Sequence, residues 1–282
     1  MAKLLFGMHM KSRVITALIG IPILGVVIFA GEFWFSGLVI LLAGIGAFEL
    51  GHLSNKIGFR VPASIFLICV IVIVGLSHFI TIEQYENYHL LAAIFAFTII
   101  FLTWQFERFK YKTSITDWLI SFSISICLGG GLAYAILLRN LDEGIYLTFW
   151  LIAVVMVSDM SSFFVGRRFG KHKLAPKVSP MKTIEGAIGG IVGALVASSI
   201  MKYIYASLSD FGSDISIFVF GFAGVLVGCI GIIGDLSESK LKRMANVKDS
   251  GSMIPGHGGV LDRLDSILFN LPVTYYGFLW VS

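Results

Sequence analysis

Long apolar runs alternate with short polar ones along almost the whole chain. Nine of these runs approach the roughly 20 residues that a helix needs to cross the hydrocarbon core of a bilayer. They fall at roughly 14–30, 33–52, 62–81, 89–106, 116–138, 145–165, 184–205, 215–234 and 263–281. The sixth and ninth are impure, because each carries Asp within the run. The pattern predicts an all-α, polytopic integral membrane protein of about nine transmembrane helices. No small-residue cleavage site follows the first run, so it is read as a retained helix.

Composition sharpens this. Of 282 residues, 57% are apolar and 13% charged, against about 45–50% and about 25% in soluble domains. That balance excludes an ordinary soluble fold. Cys69, Cys127 and Cys229 all sit in apolar runs without a C-x-x-C pair or a nearby His, and read as packing residues.

Charge becomes informative once it is placed by loop. With the N-terminus in the cytosol, every Lys and Arg except Arg139 and Lys202 falls on the cytosolic side. Glu32, Glu83, Glu86, Asp142, Glu143, Asp210 and Asp214 fall on the other. This positive-inside pattern predicts a cytosolic N-terminus. It also puts the two longest loops, 166–183 and 236–262, in the compartment that holds nucleotides. Residues 1–140 have short loops and few polar residues inside their spans, and read as N-terminal transmembrane helices. Residues 141–282 carry most of the chemistry and read as a catalytic transmembrane domain. Glu49 and His52, one turn apart near the cytosolic end of the second span, are the exception in the first half. So close to a helix end, both are expected to snorkel to the interface.

The polar stretch Ser237–Asp265 concentrates phosphate chemistry. Lys240, Lys242, Arg243 and Lys248 can neutralise phosphate, whereas a lone basic cluster would read as a solvated loop. Gly256, Gly258 and Gly259 allow backbone N–H groups to approach an anion closely. Asp262 and Asp265, three apart, share a face if the last helix starts here. Asp235 lies just upstream. Such hard oxygen ligands suit Mg²⁺. A second constellation spans residues 158–186. Asp159 lies inside the sixth span, where an unpaired carboxylate costs at least about 2.5–3.5 kcal/mol, so it should face a wet cavity, a cation or a metal. A structural partnership with Arg167 or Arg168 is the plainer alternative. Ser179, Pro180, Lys182, Thr183, Glu185 and Gly186 form S-P-x-K-T-x-E-G. Thr183 is placed to cap the next helix with Glu185 behind it, and Lys182 stands where a helix N-terminus can bind phosphate. Gly186, Gly189, Gly190 and Gly193 line one side of the seventh span and suit close helix packing.

The order K-R-x4-K-D-S-G, P-G-H-G-G, D-R-x-D, preceded by S-P-x-K-T-x-E-G, resembles the phosphatidate cytidylyltransferases, or CDP-diacylglycerol synthases. The resemblance covers residues 158–265 and extends more loosely over the first half. A family-like opening, M-K-S-R-V-I-T-A-L, begins at Met10, which makes residues 1–9 read as a leader. The resemblance implies transfer of CMP from CTP to phosphatidic acid, with pyrophosphate released. It implies Asp235 and Asp262 as the first Mg²⁺ ligands, with Asp265 and Asp159 completing a site for two ions. Lys242, Arg243 and Lys248 would grip phosphates. Ser179, Lys182, Thr183 and Glu185 would contact the nucleotide or the lipid phosphate. Asp249, the Gly256–Gly259 turn with His257, and Arg263 would complete the pocket. The partners expected are CTP, phosphatidic acid and membrane lipids, with no nucleic acid, and a homodimer is compatible with the span-rich first half. The expected location is a bacterial inner membrane, with the site facing the cytosol. Two readings compete: a CTP-dependent lipid-alcohol kinase, which would release CDP, and a transporter, which would suit the intramembrane Asp159 and Glu49.

Overall fold

The computed structural model of the protein describes residues 18–59, 63–78, 115–208, 215–253 and 258–280. Its helices are α1 (Leu18–Phe29), α2 (Glu32–Ile57), α3 (Ala63–Ser77), α4 (Ile115–Ser125), α5 (Gly131–Arg139), α6 (Gly144–Phe169), α7 (Ile184–Leu208), α8 (Ile217–Met244) and α9 (Leu261–Leu279). A π-turn at Ile126–Gly130 joins α4 to α5, and a hairpin of β1 (Lys173–Ala175) and β2 (Ser179–Thr183) lies between α6 and α7. Among the described residues, five helical stretches are long and apolar enough to cross a membrane: Glu32–Ile57, Thr116–Arg139, Gly144–Phe169, Ile184–Ser207 and Ile217–Met244. They coincide with the second, fifth, sixth, seventh and eighth expected spans. The first and third contain the shorter apolar helices Leu18–Phe29 and Leu67–Ser77. The fourth lies outside the described residues, and the ninth corresponds to α9. Large apolar side chains such as Phe163, Phe164, Val192, Phe218 and Phe222 are exposed on these helices, as suits a hydrocarbon solvent. The protein is an all-α integral membrane protein, with one small hairpin among the described residues.

Two boundaries differ from the sequence pattern, and both matter for the site. The apolar run near 215–234 ends before its helix does, because α8 continues to Met244. The extension D-L-S-E-S-K-L-K-R-M carries its own i, i+4 support, an ion pair from Lys242 to Glu238 at 2.7 Å and a hydrogen bond from Ser239 to Asp235 at 3.3 Å. Glu238, Lys242 and Arg243 therefore stand on the same helix as Asp235, not in the loop expected over 236–262. The loop expected over 166–183 is likewise part helix and part hairpin. Pro180 sits within β2, where a two-stranded sheet leaves an edge that tolerates its missing N–H.

The chain forms two compact units. The first combines Met1–Leu137 with Met244–Arg263. In it α2 ends in a Schellman-type cap: Gly58 has φ 108°, its N–H reaches Asn55 O, and the Phe59 N–H reaches Ser54 O. Gly129 of the π-turn lies so close to Ile73 that a Cβ would come within 3.2 Å of it.

The second unit combines Leu138–Arg243 with Leu264–Ser282. Trp150 is fully buried against the edges of Phe220 and Phe278. Its Nε1–H donates to Ser198 Oγ at 3.1 Å, and Ser198 donates in turn to the Phe220 carbonyl. Asn270 Nδ2 bridges the carbonyls of Val227 and Ser266, which ties α9 to α8. The glycine stripe on α7 packs as its spacing predicts. A Cβ on Gly189 would meet Val165 at 2.6 Å, one on Gly186 the Ser162 carbonyl at 2.9 Å, and one on Gly193 would collide with Ser161. Close packing of α6 on α7 sets the hairpin that joins them beside α8.

Candidate active site

In the second unit, β2 delivers Lys182 to the polar end of α8, where its ammonium pairs with the Asp235 carboxylate. Asp159 from α6 lines the same small cleft, of about 30 Å³, together with Ser158, Ser162 and Thr183. Asp159 thus faces a polar space, as an intramembrane carboxylate should. Asp265 on α9 stands close enough to Asp235, Lys182 and Lys242 for their charges to act on it. Gly234 makes this approach possible, since a Cβ there would collide with the Asp265 carbonyl. Glu238 and Lys242 form a largely buried ion pair one turn further along α8. Arg243 Nε donates to the Val178 carbonyl at 3.1 Å, which anchors the turn of the hairpin to the end of α8.

The hairpin is fastened at its other end too. Glu185 in the first turn of α7 accepts the N–H groups of Lys171 at 3.1 Å and His172 at 3.2 Å, and its carboxylate lies 2.6 Å from His172 Nδ1. Thr183 caps α7, with its Oγ1 accepting the Gly186 N–H at 3.1 Å. Glu185, placed by sequence among the substrate contacts, is therefore engaged with its own hairpin. Ser179 is half-buried in β2.

The first unit holds a separate cluster built on the turn before α9. Asp262 Oδ2 accepts the N–H groups of Ser250 at 3.0 Å and Gly259 at 2.8 Å, and the Ser250 hydroxyl at 3.0 Å. Glu49 accepts the N–H of Val260 through Oε1 at 3.0 Å and that of Leu261 through Oε2 at 2.9 Å. Its Oε2 also lies 3.0 Å from Ser250 Oγ. Two residues of the glycine run make room for this. Gly258 has φ 84°, and a Cβ on Gly259 would meet Ser250 and Glu49. The glycine N–H groups expected to approach an anion thus include one, on Gly259, that meets the protein's own Asp262. Lys248, Asp249 and Arg263 are exposed beside this turn. Gly256 and His257 lie outside the described residues.

Glu49 is the main correction. It does not snorkel, being only 4% exposed and hydrogen-bonded to a segment more than 200 positions away. Its sequence signal was its position as an ionisable residue in an apolar span. Ser250 and Glu238 were also passed over. Only its place in K-D-S-G marked Ser250, and Glu238 was marked by nothing beyond its i, i+4 relation to Lys242.

The donor chemistry suits Mg²⁺. Asp159 and Asp235 share a cleft with a lysine, and Asp265 lies within electrostatic reach. Among the described residues no three His, Cys, Asp or Glu side chains form a ready-made cage. Mg²⁺ does not require one, because it usually takes one or two carboxylates and completes its shell with substrate phosphates and water.

Comparison with known proteins gives a consistent picture. The sequence profile of the Cytidylyltransferase family matches residues 11–281. The chain is similar to the phosphatidate cytidylyltransferase of Bacillus subtilis, at 32% identity over 95% of this chain and 97% of that protein. It is similar to the protein of the same name from Haemophilus influenzae at 39% identity, over 62% of this chain and 61% of that one. The Staphylococcus saprophyticus phosphatidate cytidylyltransferase is 30% identical over 94% of this chain and 97% of its own length.

Proposed function

The chain belongs to the cytidylyltransferase family, and from that premise we propose that it transfers the cytidylyl group of CTP to phosphatidic acid. A phosphate oxygen of phosphatidic acid forms a bond to the CTP α-phosphorus. The bond from that phosphorus to the bridging oxygen of the β-phosphate breaks, pyrophosphate leaves, and CDP-diacylglycerol stays in the bilayer. The observation that carries this reading is the pairing of Lys182, from S-P-x-K-T-x-E-G, with Asp235 on α8, in a cleft that Asp159 also lines. A motif lysine, an intramembrane Asp and an Asp just upstream of the second motif meet around one charge centre, in a chain that resembles named phosphatidate cytidylyltransferases over nearly its full length.

The nucleophile is already an anion at neutral pH, so the chain needs no strong general base. Its task is electrostatic, because two polyanions must meet and charge must be stabilised on the leaving pyrophosphate. Lys182 supplies a cation held in place by Asp235. Lys242, oriented by Glu238, supplies a second, and Arg243 keeps the hairpin in register with α8. In the second unit Asp235, Asp265 and Asp159 are the residues we assign to Mg²⁺; Asp262, in the first, is assigned on its place in D-R-x-D. When bound with the CTP phosphates, Mg²⁺ would neutralise charge at the reacting phosphorus and the leaving group. The charge distribution supports a cytosolic N-terminus and a cytosolic site, the apolar runs support about nine spans, and the bacterial relatives support a bacterial inner membrane.

The test is pyrophosphate release by purified protein in detergent, with CTP, phosphatidic acid and Mg²⁺ each omitted in turn. Release that requires all three supports the reading. CDP formed from CTP and a lipid alcohol, with no pyrophosphate, would replace it with a kinase.

A further inference from the structure

We propose that Glu49 is a positioning residue for this reaction: its carboxylate fixes the turn that leads into α9 and, through Ser250, the Asp262 side chain. The inference rests on the function proposed above. It starts from a cost. A carboxylate in an apolar helix, almost wholly buried, is unfavourable unless its charge is met by donors. Here the donors are specific. Each Glu49 oxygen takes one of two consecutive backbone N–H groups, those of Val260 and Leu261. These belong to the start of α9, where helix geometry leaves N–H groups without partners inside the helix. A third contact runs to Ser250 Oγ, which lies equally close, at 3.0 Å, to Asp262 Oδ2.

Two glycines of the signature fit closely around Glu49. A Cβ on Gly251, the last residue of K-D-S-G, would collide with Glu49 Oε1, and one on Gly259, the last glycine of P-G-H-G-G, would press on Oε2. Two motif segments are therefore shaped around one side chain from α2. A Gln in its place can accept from one of the two N–H groups, but its amide NH₂ then faces the other, donor against donor. The turn must shift, and Asp262 with it. A displacement of about 1 Å at a positioned group can cost about 100-fold in rate.

The experiment compares Glu49→Gln and Ser250→Ala with the unaltered full chain in detergent. It reads kcat, KM for CTP, the Mg²⁺ concentration for half-maximal rate, the melting temperature and amide hydrogen exchange. For Glu49→Gln we expect kcat to fall about 100-fold while KM for CTP stays within about threefold. The half-activating Mg²⁺ concentration should rise, the melting temperature should be retained, and exchange should quicken in residues 249–262 alone. Ser250→Ala should lose at least about tenfold, the size of one hydrogen bond to a charged group. A Glu49→Gln enzyme with unaltered kcat and Mg²⁺ response overturns the proposal. So does a rate loss that only tracks lost folded protein, with exchange quickened throughout α2 and α3. If the unaltered protein releases no pyrophosphate, the proposed reaction fails. The exchange pattern still decides then whether Glu49 holds the turn: unchanged exchange in residues 249–262 of the Glu49→Gln protein overturns it.

Discussion

Asp262 and Lys182 separate two kinds of work that charged residues do in this protein. Asp262 uses one carboxylate oxygen to gather the N–H groups of Ser250 and Gly259. An Asn side chain retains a carbonyl oxygen that can accept the same bonds, so Asp262→Asn should keep its fold. Without the negative charge, turnover should be abolished while the melting temperature is preserved. An active Asp262→Asn enzyme would remove this residue from the metal assignment. Lys182 offers a different test. It is tethered by Asp235 at the cleft, and Lys182→Met keeps most of its apolar stem but removes the charge. If the ammonium stabilises developing phosphate charge, kcat should fall about 10²–10³-fold, the usual loss for one preorganised electrostatic group. Loss confined to KM would move Lys182 from the chemical step to ground-state binding.

At the scale of elements, the cleft that Asp159, Lys182 and Asp235 line depends on how closely α6 and α7 approach. Gly189 sits against Val165 and has no room for a side chain. Gly189→Leu should destabilise the protein by about 1–3 kcal/mol, the usual cost of overpacking, and the loss is measurable as a lower denaturation midpoint in detergent. Gly75 on α3 is the contrasting case, with nothing within 4 Å of a built Cβ. Gly75→Ala should be neutral or stabilising by up to about 1 kcal/mol, because it removes backbone freedom from a helical position. The glycine stripe on α7 could be read from its spacing. The continuation of α8 past its apolar run could not, because hydropathy marks the bilayer's extent and not the helix's. Ten residues, seven of them polar or charged, continue a helix when their own i, i+4 pairs support it, as Glu238 and Lys242 do.

At the scale of the whole molecule, orientation gives the clearest prediction. Asp142 and Lys177 lie on either side of α6, whose 26 residues span about 39 Å. The positive-inside pattern puts Lys177 in the cytosol and Asp142 outside. In a background with Cys69, Cys127 and Cys229 replaced, Asp142→Cys should react with a membrane-impermeant maleimide on intact spheroplasts. Lys177→Cys should react only after lysis. The reverse result would invert the topology and remove the nucleotide side from the proposed site. Connectivity is the other feature at this scale. The unit that contains α2 and α3 also takes in Met244–Arg263, so most of the signature stretch folds with helices from the start of the chain.

The sequence by itself determined the class of the molecule, the places of its long apolar helices and the motifs that point to phosphate chemistry. Each is a property of a local window or of a spacing along the chain, which hydropathy and helix periodicity encode directly. Only the tertiary structure decided the partners of the charges. Glu49 looked like an interfacial residue because its neighbours in sequence are apolar and its helix end is near. Its fate depends on N–H groups 211 and 212 positions away. Lys182 meets Asp235, and Gly259 gives its N–H to Asp262, for the same reason. A buried charge is stable only where donors converge on it, and that convergence is a fact of packing that no window along the chain contains.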